Sequence, residues 1–233
     1  MLVDQPTWSH SAAEWLAAIG TVAVALIAIF QEWFRRWVFR PKLKLNARVG
    51  RPAAERFTWP MGEKAPGEKR PDVSVYFFRL EVTNEGNAPA RDLQLYVASA
   101  RRRKQDGTYQ IVDRFSPMNL LWTHADKPTL PVLLPGMPPR YCDLGHIADP
   151  GRKEETGEQL PGVAPGDGVL ALDLEVKATS LSYLLEPGTY RLALKLAAAN
   201  HAPADYTLEI VFPGRWFDEQ EKMFSDGFGL SLV

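Results

Sequence analysis

VSVYFFRLEVTNEGNAPARDLQLYVASARRR, residues 73–103, alternates apolar and polar side chains on either side of a turn. Successive side chains of a strand point to opposite faces, so Tyr76, Phe78, Leu80 and Val82 share one face. Leu93, Leu95 and Val97 resume the same period after NEGNAP (84–89). In that turn Asn and Gly tolerate positive φ, and Pro blocks continuation of the strand. Two strands joined by a tight turn are therefore expected. RRRKQDGTYQIV (101–112) extends the second into a hairpin with Asp106-Gly107 at its tip.

The same alternation recurs outward from this pair. Upstream, KLKLNARV (42–49) places Leu43, Leu45, Ala47 and Val49 on one side, with Lys42, Lys44, Asn46 and Arg48 on the other. Downstream, VLALDLEVKA (169–178), TYRLALKLAAA (189–199), YTLEIVF (206–212) and FGLSLV (228–233) predict strands, with Glu186-Pro187-Gly188 as a turn. TLPVLL (129–134) and RYCDLGHI (140–147) predict shorter ones. RWFDEQEKMFSDG (215–227) predicts one or two helical turns. Residues 50–72 and 149–168, rich in Pro, Gly and charge, predict long loops, the second of them mobile. About nine or ten short strands with no long helix in the body predict a mainly-β protein, an antiparallel two-sheet β-sandwich over residues 41–233.

Residues 1–40 are of another kind. Trp15 to Phe30 is a sixteen-residue run without a charge. As a helix it is about 24 Å long, and taking in Trp33 and Phe34 brings it close to a bilayer core of roughly 30 Å. Trp8 and Trp15 flank one end, Trp33 and Trp37 the other, where an apolar ring with a polar N–H suits the membrane interface. A buried core helix is the alternative. A cleaved signal peptide fits poorly, because residues 1–14 contain no Lys or Arg.

The run leads into FRRWVFRPKLKL. Phe34, Trp37 and their neighbours set rings at helical spacing, while Arg35, Arg36 and Arg40 offer guanidiniums to lipid phosphates. Pro41 disfavours helix at Arg40 and ends the segment. Trp15, Trp33, Phe34, Arg35, Arg36, Trp37, Arg40, Lys42 and Lys44 are thus the candidate membrane-interface residues, facing an anionic leaflet. Of 27 Lys/Arg and 28 Asp/Glu, residues 1–51 hold seven basic and three acidic residues, so the remainder is net acidic. All seven bases follow the apolar run. The positive-inside rule then sets the N-terminus outside and the domain in the cytoplasm. A net-acidic body argues against nucleic acid as the partner. Ala17, Thr21, Ala25 and Ala28 lie on one helix face, where small residues let a second helix approach; a short alanine-rich span produces the same pattern by composition alone.

FFRLEVTNEGNAPARDLQLYV resembles the strand–turn–strand signature of bacterial immunoglobulin-like domains of the CARDB type, which join two strands through an N-x-G-N-x-x-A turn. EPGTYRLALKL is similar to a later strand pair of such domains. The chain as a whole resembles bacterial single-pass membrane proteins with one short N-terminal span, an Arg/Lys-rich collar and one such sandwich. The resemblance implies recognition or scaffolding, a protein partner, and no catalytic residues. Residues 100–167 are longer than a simple sandwich needs, and domains of that type are usually exported, whereas the collar here points to the cytoplasm.

CDLGH (142–146) is the most suggestive chemical fragment, since a thiolate near an imidazole can be a nucleophile or a metal ligand. In a regular strand Cys142, Leu144 and His146 share one face, and core packing accounts for them. The other histidines, His10, His124 and His201, stand at no metal-binding spacing. No G-x-S-x-G, phosphate-binding loop or G-x-G-x-x-G occurs, so no enzyme activity and no cofactor is expected. Arg101, Arg102, Arg103 and Lys104 offer an anion contact, or simply a charged hairpin end that discourages edge pairing. The leading expectation is a membrane-anchored binding module. The alternatives are a membrane effector of stress or phage defence with an oligomerising span, and a tethered enzyme using Cys142 and His146.

Overall fold

The computed structural model describes residues 8–125 and 127–233, the side chains of 8–11, 32–37 and 64 excepted. The chain divides between Arg40 and Pro41 into two compact units. The first is built on one helix, α1 (Trp8–Val38), about 46 Å long at 1.5 Å per residue. Its segment Ala12–Gln31 is long and apolar enough to cross a membrane, and none of it is buried. Trp15, Leu16, Ile19, Val24, Ile27, Ile29 and Phe30 are each more than half exposed.

In chain order the strands of the second unit are β1 (Leu43–Ala47), β2 (Ala54–Trp59), β3 (Glu63–Ala65), β4 (Glu68–Lys69), β5 (Val73–Asn84), β6 (Ala90–Arg103), β7 (Tyr109–Ile111), β8 (Met118–Asn119), β9 (Leu121–Trp122), β10 (Leu130–Leu133), β11 (Arg140–Ala148), β12 (Leu170–Leu172), β13 (Leu184–Leu185), β14 (Gly188–Ala198), β15 (His201–Phe212) and β16 (Gly229–Leu232). They form two seven-stranded antiparallel sheets. One runs β1-β5-β11-β12-β13, with β2 on β5 and β9 on β11. The other runs β10-β6-β14-β15-β16, with β7 and β8 on β6, and β3–β4 is a separate hairpin.

The expected alternation is what fills the interior. Tyr76, Phe78, Leu80 and Val82 of β5 belong to one core cluster with Leu93, Leu95 and Val97 of β6, Leu192, Leu194 and Leu196 of β14, and Leu208, Ile210 and Phe212 of β15. Each such side chain contributes about 1.5–3 kcal/mol when fully buried. Trp122 fills space beside them and donates its indole N–H to the Leu93 carbonyl at 3.2 Å. Asn84 closes the expected turn: its Oδ1 accepts from the N–H groups of Gly86 (3.0 Å) and Lys42 (3.1 Å), and its Nδ2 donates to Ala88 O and Leu133 O.

Three expectations are corrected. Residues 54–59, read as loop, form β2 and pair along β5 from Phe78 to Val73, because a strand edge outweighs a Pro/Gly-rich surrounding sequence. Residues 149–168, read as a mobile loop, hold a 3-10 turn (Pro150–Arg152) and a short helix, α2 (Lys153–Thr156). The third correction concerns β11. A β-bulge between Asp143 and Gly145 shifts its pairing with β5, so that Cys142 opposes Leu80 but His146 opposes Phe77. Leu80 faces the main core, whereas Phe77 packs on the smaller cluster of Val73, Val75 and Ala148. Cys142 and His146 therefore lie on opposite faces of the sheet.

Candidate functional site

A concavity of about 910 Å³ lies at the tip of the β6–β7 hairpin, lined there by Arg102, Arg103 and Lys104. That size is typical of ligand pockets. Its apolar lining includes Val112, Leu160, Leu184 and Leu185. Arg102 is ion-paired to Glu186, donates to Pro187 O at 2.9 Å, and sits 6.0 Å from the centre of the Tyr190 ring. The Tyr190 hydroxyl donates to Glu186 O, and burial pushes its pKa up to about 12, so it stays neutral. Asp113 faces Arg114, and the Asp106 carboxylate accepts from both the N–H and the hydroxyl of Thr108. Arg103 and Lys104 are exposed cations beside this partly apolar cleft, whose lining also carries Asp106, Asp113 and Glu186. Such a lining suits an anionic group carried on an apolar body. Arg101, the fourth member of the basic run, pairs across to Arg191 of β14 and is outside the cleft lining.

The second constellation is buried. His146, 1% exposed, donates from Nδ1 to Asp173 Oδ1 and from Nε2 to Glu158 Oε1, both at 2.9 Å. A neutral imidazole has only one N–H, so two carboxylate partners require the imidazolium. Burial alone would push its pKa down. The bonds to Asp173 and Glu158 outweigh it and raise the pKa from 6.5 to about 9. Glu158 is held below its ordinary range: burial works against this, but His146 and then Lys177, 3.5 Å away, prevail. The rings of Phe77 (5.2 Å) and Trp59 (5.3 Å) cover the imidazole. With both nitrogens engaged, His146 offers no lone pair to a metal or a proton-transfer substrate. It clasps residues 149–168 and 173–177 to the sheet. Among the described residues, no group of three or more His, Cys, Asp and Glu is arranged to hold a metal ion.

Cys142 is fully buried and donates its S–H to Leu121 O at 3.2 Å. Burial, then the charges of Asp143 and Asp173, pushes its pKa well above the ordinary value. A thiol so protonated and enclosed is a packing group. The adjacency of Cys142 and His146 in sequence is therefore not a chemical pair in space. Glu158 and Asp173, the partners of His146, and Lys177, which pairs with Glu158, carry no recognisable spacing signal, since the two carboxylates reach the ring from separate loops.

On α1, Trp15 is exposed, as are Ala17, Thr21, Ala25 and Ala28; the Thr21 hydroxyl donates to Ala17 O at 2.9 Å within the helix. The side chains of Trp33, Phe34, Arg35, Arg36 and Trp37 lie outside the described residues. Arg40, Lys42 and Lys44 are exposed, and Lys44 pairs with Glu85 at 3.3 Å. Comparison with family models, curated proteins and solved structures finds no match for this chain.

Proposed function

We propose that this protein is a single-pass, membrane-anchored binding module whose β domain, an immunoglobulin-like sandwich, recognises a protein or a ligand. The observation that carries the reading is α1. Its apolar side chains are exposed along the whole candidate span, while residues 41–233 close a core of their own. Apolar surface of that extent in water is unfavourable by about 25 cal/mol per Å², and a bilayer removes it. The larger core cluster, which draws on both sheets, supports the sandwich. Seven basic residues after the span, and none before it, support an outside N-terminus and a cytoplasmic domain against an anionic leaflet. Self-association through the Ala17/Thr21/Ala25/Ala28 face belongs to the same reading.

The cleft beside Arg103 and Lys104 is the proposed recognition site. It lies at the far end of β6 from Ala90, about 40 Å away at ~3.3 Å per residue. Ala90 adjoins the Asn84 turn that receives Lys42, where the domain begins. Alkaline extraction and C-terminal fusions test the anchor and its direction. The chain is expected to stay with the membrane fraction, with a C-terminal fluorescent protein bright and alkaline phosphatase inactive. Release by alkaline extraction would overturn the anchor, and an active phosphatase fusion would overturn the orientation.

A further inference from the structure

The loop between β10 and β11, LPGMPP (134–139), exposes two large apolar side chains, Leu134 (46%) and Met137 (49%), with neither helix nor sheet to cover them. Its position is fixed by Asn84. That residue accepts from Gly136 N–H through its carbonyl (3.3 Å), donates to Leu133 O (3.0 Å), and accepts from Lys42 N–H (3.1 Å). One buried asparagine therefore ties the apolar loop to the first residues of the domain. The chain limits the separation beyond that: from Gln31, where the candidate span ends, α1 adds about 10 Å to Val38, and five residue steps to Leu43 add at most about 17 Å. The strands that flank the loop carry exposed cations: Arg91 opposite Val132, Arg140 opposite Val82, and on the adjoining β1 end Lys42 and Lys44, the last paired with Glu85, with Asp92 as a further acid. Three prolines and Gly136 at φ +68° fix the loop's shape, so little conformational entropy is lost when it docks.

We infer that Leu134 and Met137 insert into the headgroup–acyl boundary of the bilayer that α1 crosses, forming a second membrane contact that sets the orientation of the β domain. The inference rests on α1 being a membrane anchor. A half-exposed Leu and Met gain from leaving water, and the surrounding lysines and arginines gain from anionic headgroups. The occupant is lipid rather than a protein because the loop shares its asparagine with the residues that follow the span.

The test uses the full-length chain in vesicles of phosphatidylcholine and phosphatidylglycerol, with an environment-sensitive fluorophore on single introduced cysteines. Cys142 stays in place as a buried, unreactive thiol, with the unlabelled parent as control. Met137→Cys reports the loop, Gln105→Cys the remote hairpin tip, and Ala25→Cys the span. Lipids spin-labelled near the headgroup should quench the probe at 137 several-fold more than that at 105, with a blue shift at 137 alone. Lipids labelled deep in the chain should quench the probe at 25. Quenching at 25 with water-like emission at 137 would overturn the loop contact and leave the anchor standing. A probe at 137 shielded from iodide but not quenched by lipid would assign the loop to a protein partner and overturn the inference. Absence of quenching at 25 would overturn the anchor and the loop contact together.

Discussion

Replacing Glu158 by Gln removes one of the two carboxylates that hold the His146 imidazolium. In the folded chain His146 is enclosed by Asp173 and Glu158 at 2.9 Å, Lys177 beyond Glu158, and the rings of Phe77 and Trp59. A pKa raised from 6.5 to about 9 corresponds to roughly 3 kcal/mol, at ~1.4 kcal/mol per unit. Breaking a buried pair by removing one partner costs about 3–5 kcal/mol. Asp173 still faces the ring, so the lower end of that range, about 3 kcal/mol, is expected for Glu158→Gln at pH 7. The pH dependence has a definite direction. The raised His146 pKa contributes fully below about pH 6.5, and that contribution disappears as pH climbs through about 9. The lowered Glu158 pKa contributes above its ordinary value of 4.5 and is lost as pH falls through the folded value. Urea unfolding of the detergent-solubilised full chain, followed by tryptophan fluorescence, measures both. The parent should lose about 3 kcal/mol between pH 6.5 and pH 10, and Glu158→Gln should start lower and vary less with pH. Two ring N–H protons on His146 should be visible by NMR at pH 7. A parent stability flat across that interval, or a Glu158→Gln variant as stable as the parent, would refute the imidazolium clasp.

Cys142 should resist maleimide in the native protein and react once urea exposes it, because its thiol is buried and its pKa is raised; rapid native labelling would contradict its packing role. Cys142→Ser should keep the fold and any activity of the anchored protein, measured by circular dichroism and by whatever phenotype the gene carries. Gly145→Ala should lower the melting temperature. A Cβ there would stand 2.3 Å from Ala171 O, forcing β11 and β12 apart at a cost of about 1–3 kcal/mol, and an unchanged melting temperature would show that the bulge yields freely.

Local pattern carried much of the architecture. The period-2 runs at 73–84, 90–103, 189–199 and 206–212 identify themselves, because an alternating pattern with a buried face leaves a strand no other register, although β15 itself begins earlier, at His201. The apolar run ending at Phe30 is equally legible, since an uncharged helix needs no partner to be recognised. The β2 strand was hidden, because its identity comes from the free edge of β5 and not from its own composition. Tertiary structure alone decided the sites. The bulge at Asp143/Gly145 turned His146 away from Cys142, and a one-residue phase slip of that kind leaves no mark in an alternating sequence. The clasp joins His146 to residues 12 and 27 positions away. The basic run 101–104 is continuous in the chain, yet strand geometry brings three of its members to the cleft and leaves Arg101 outside. Asn84 was legible as a turn residue. That it ties Lys42 to Gly136 depends on which strand ends the two sheets bring together, and no local pattern encodes that.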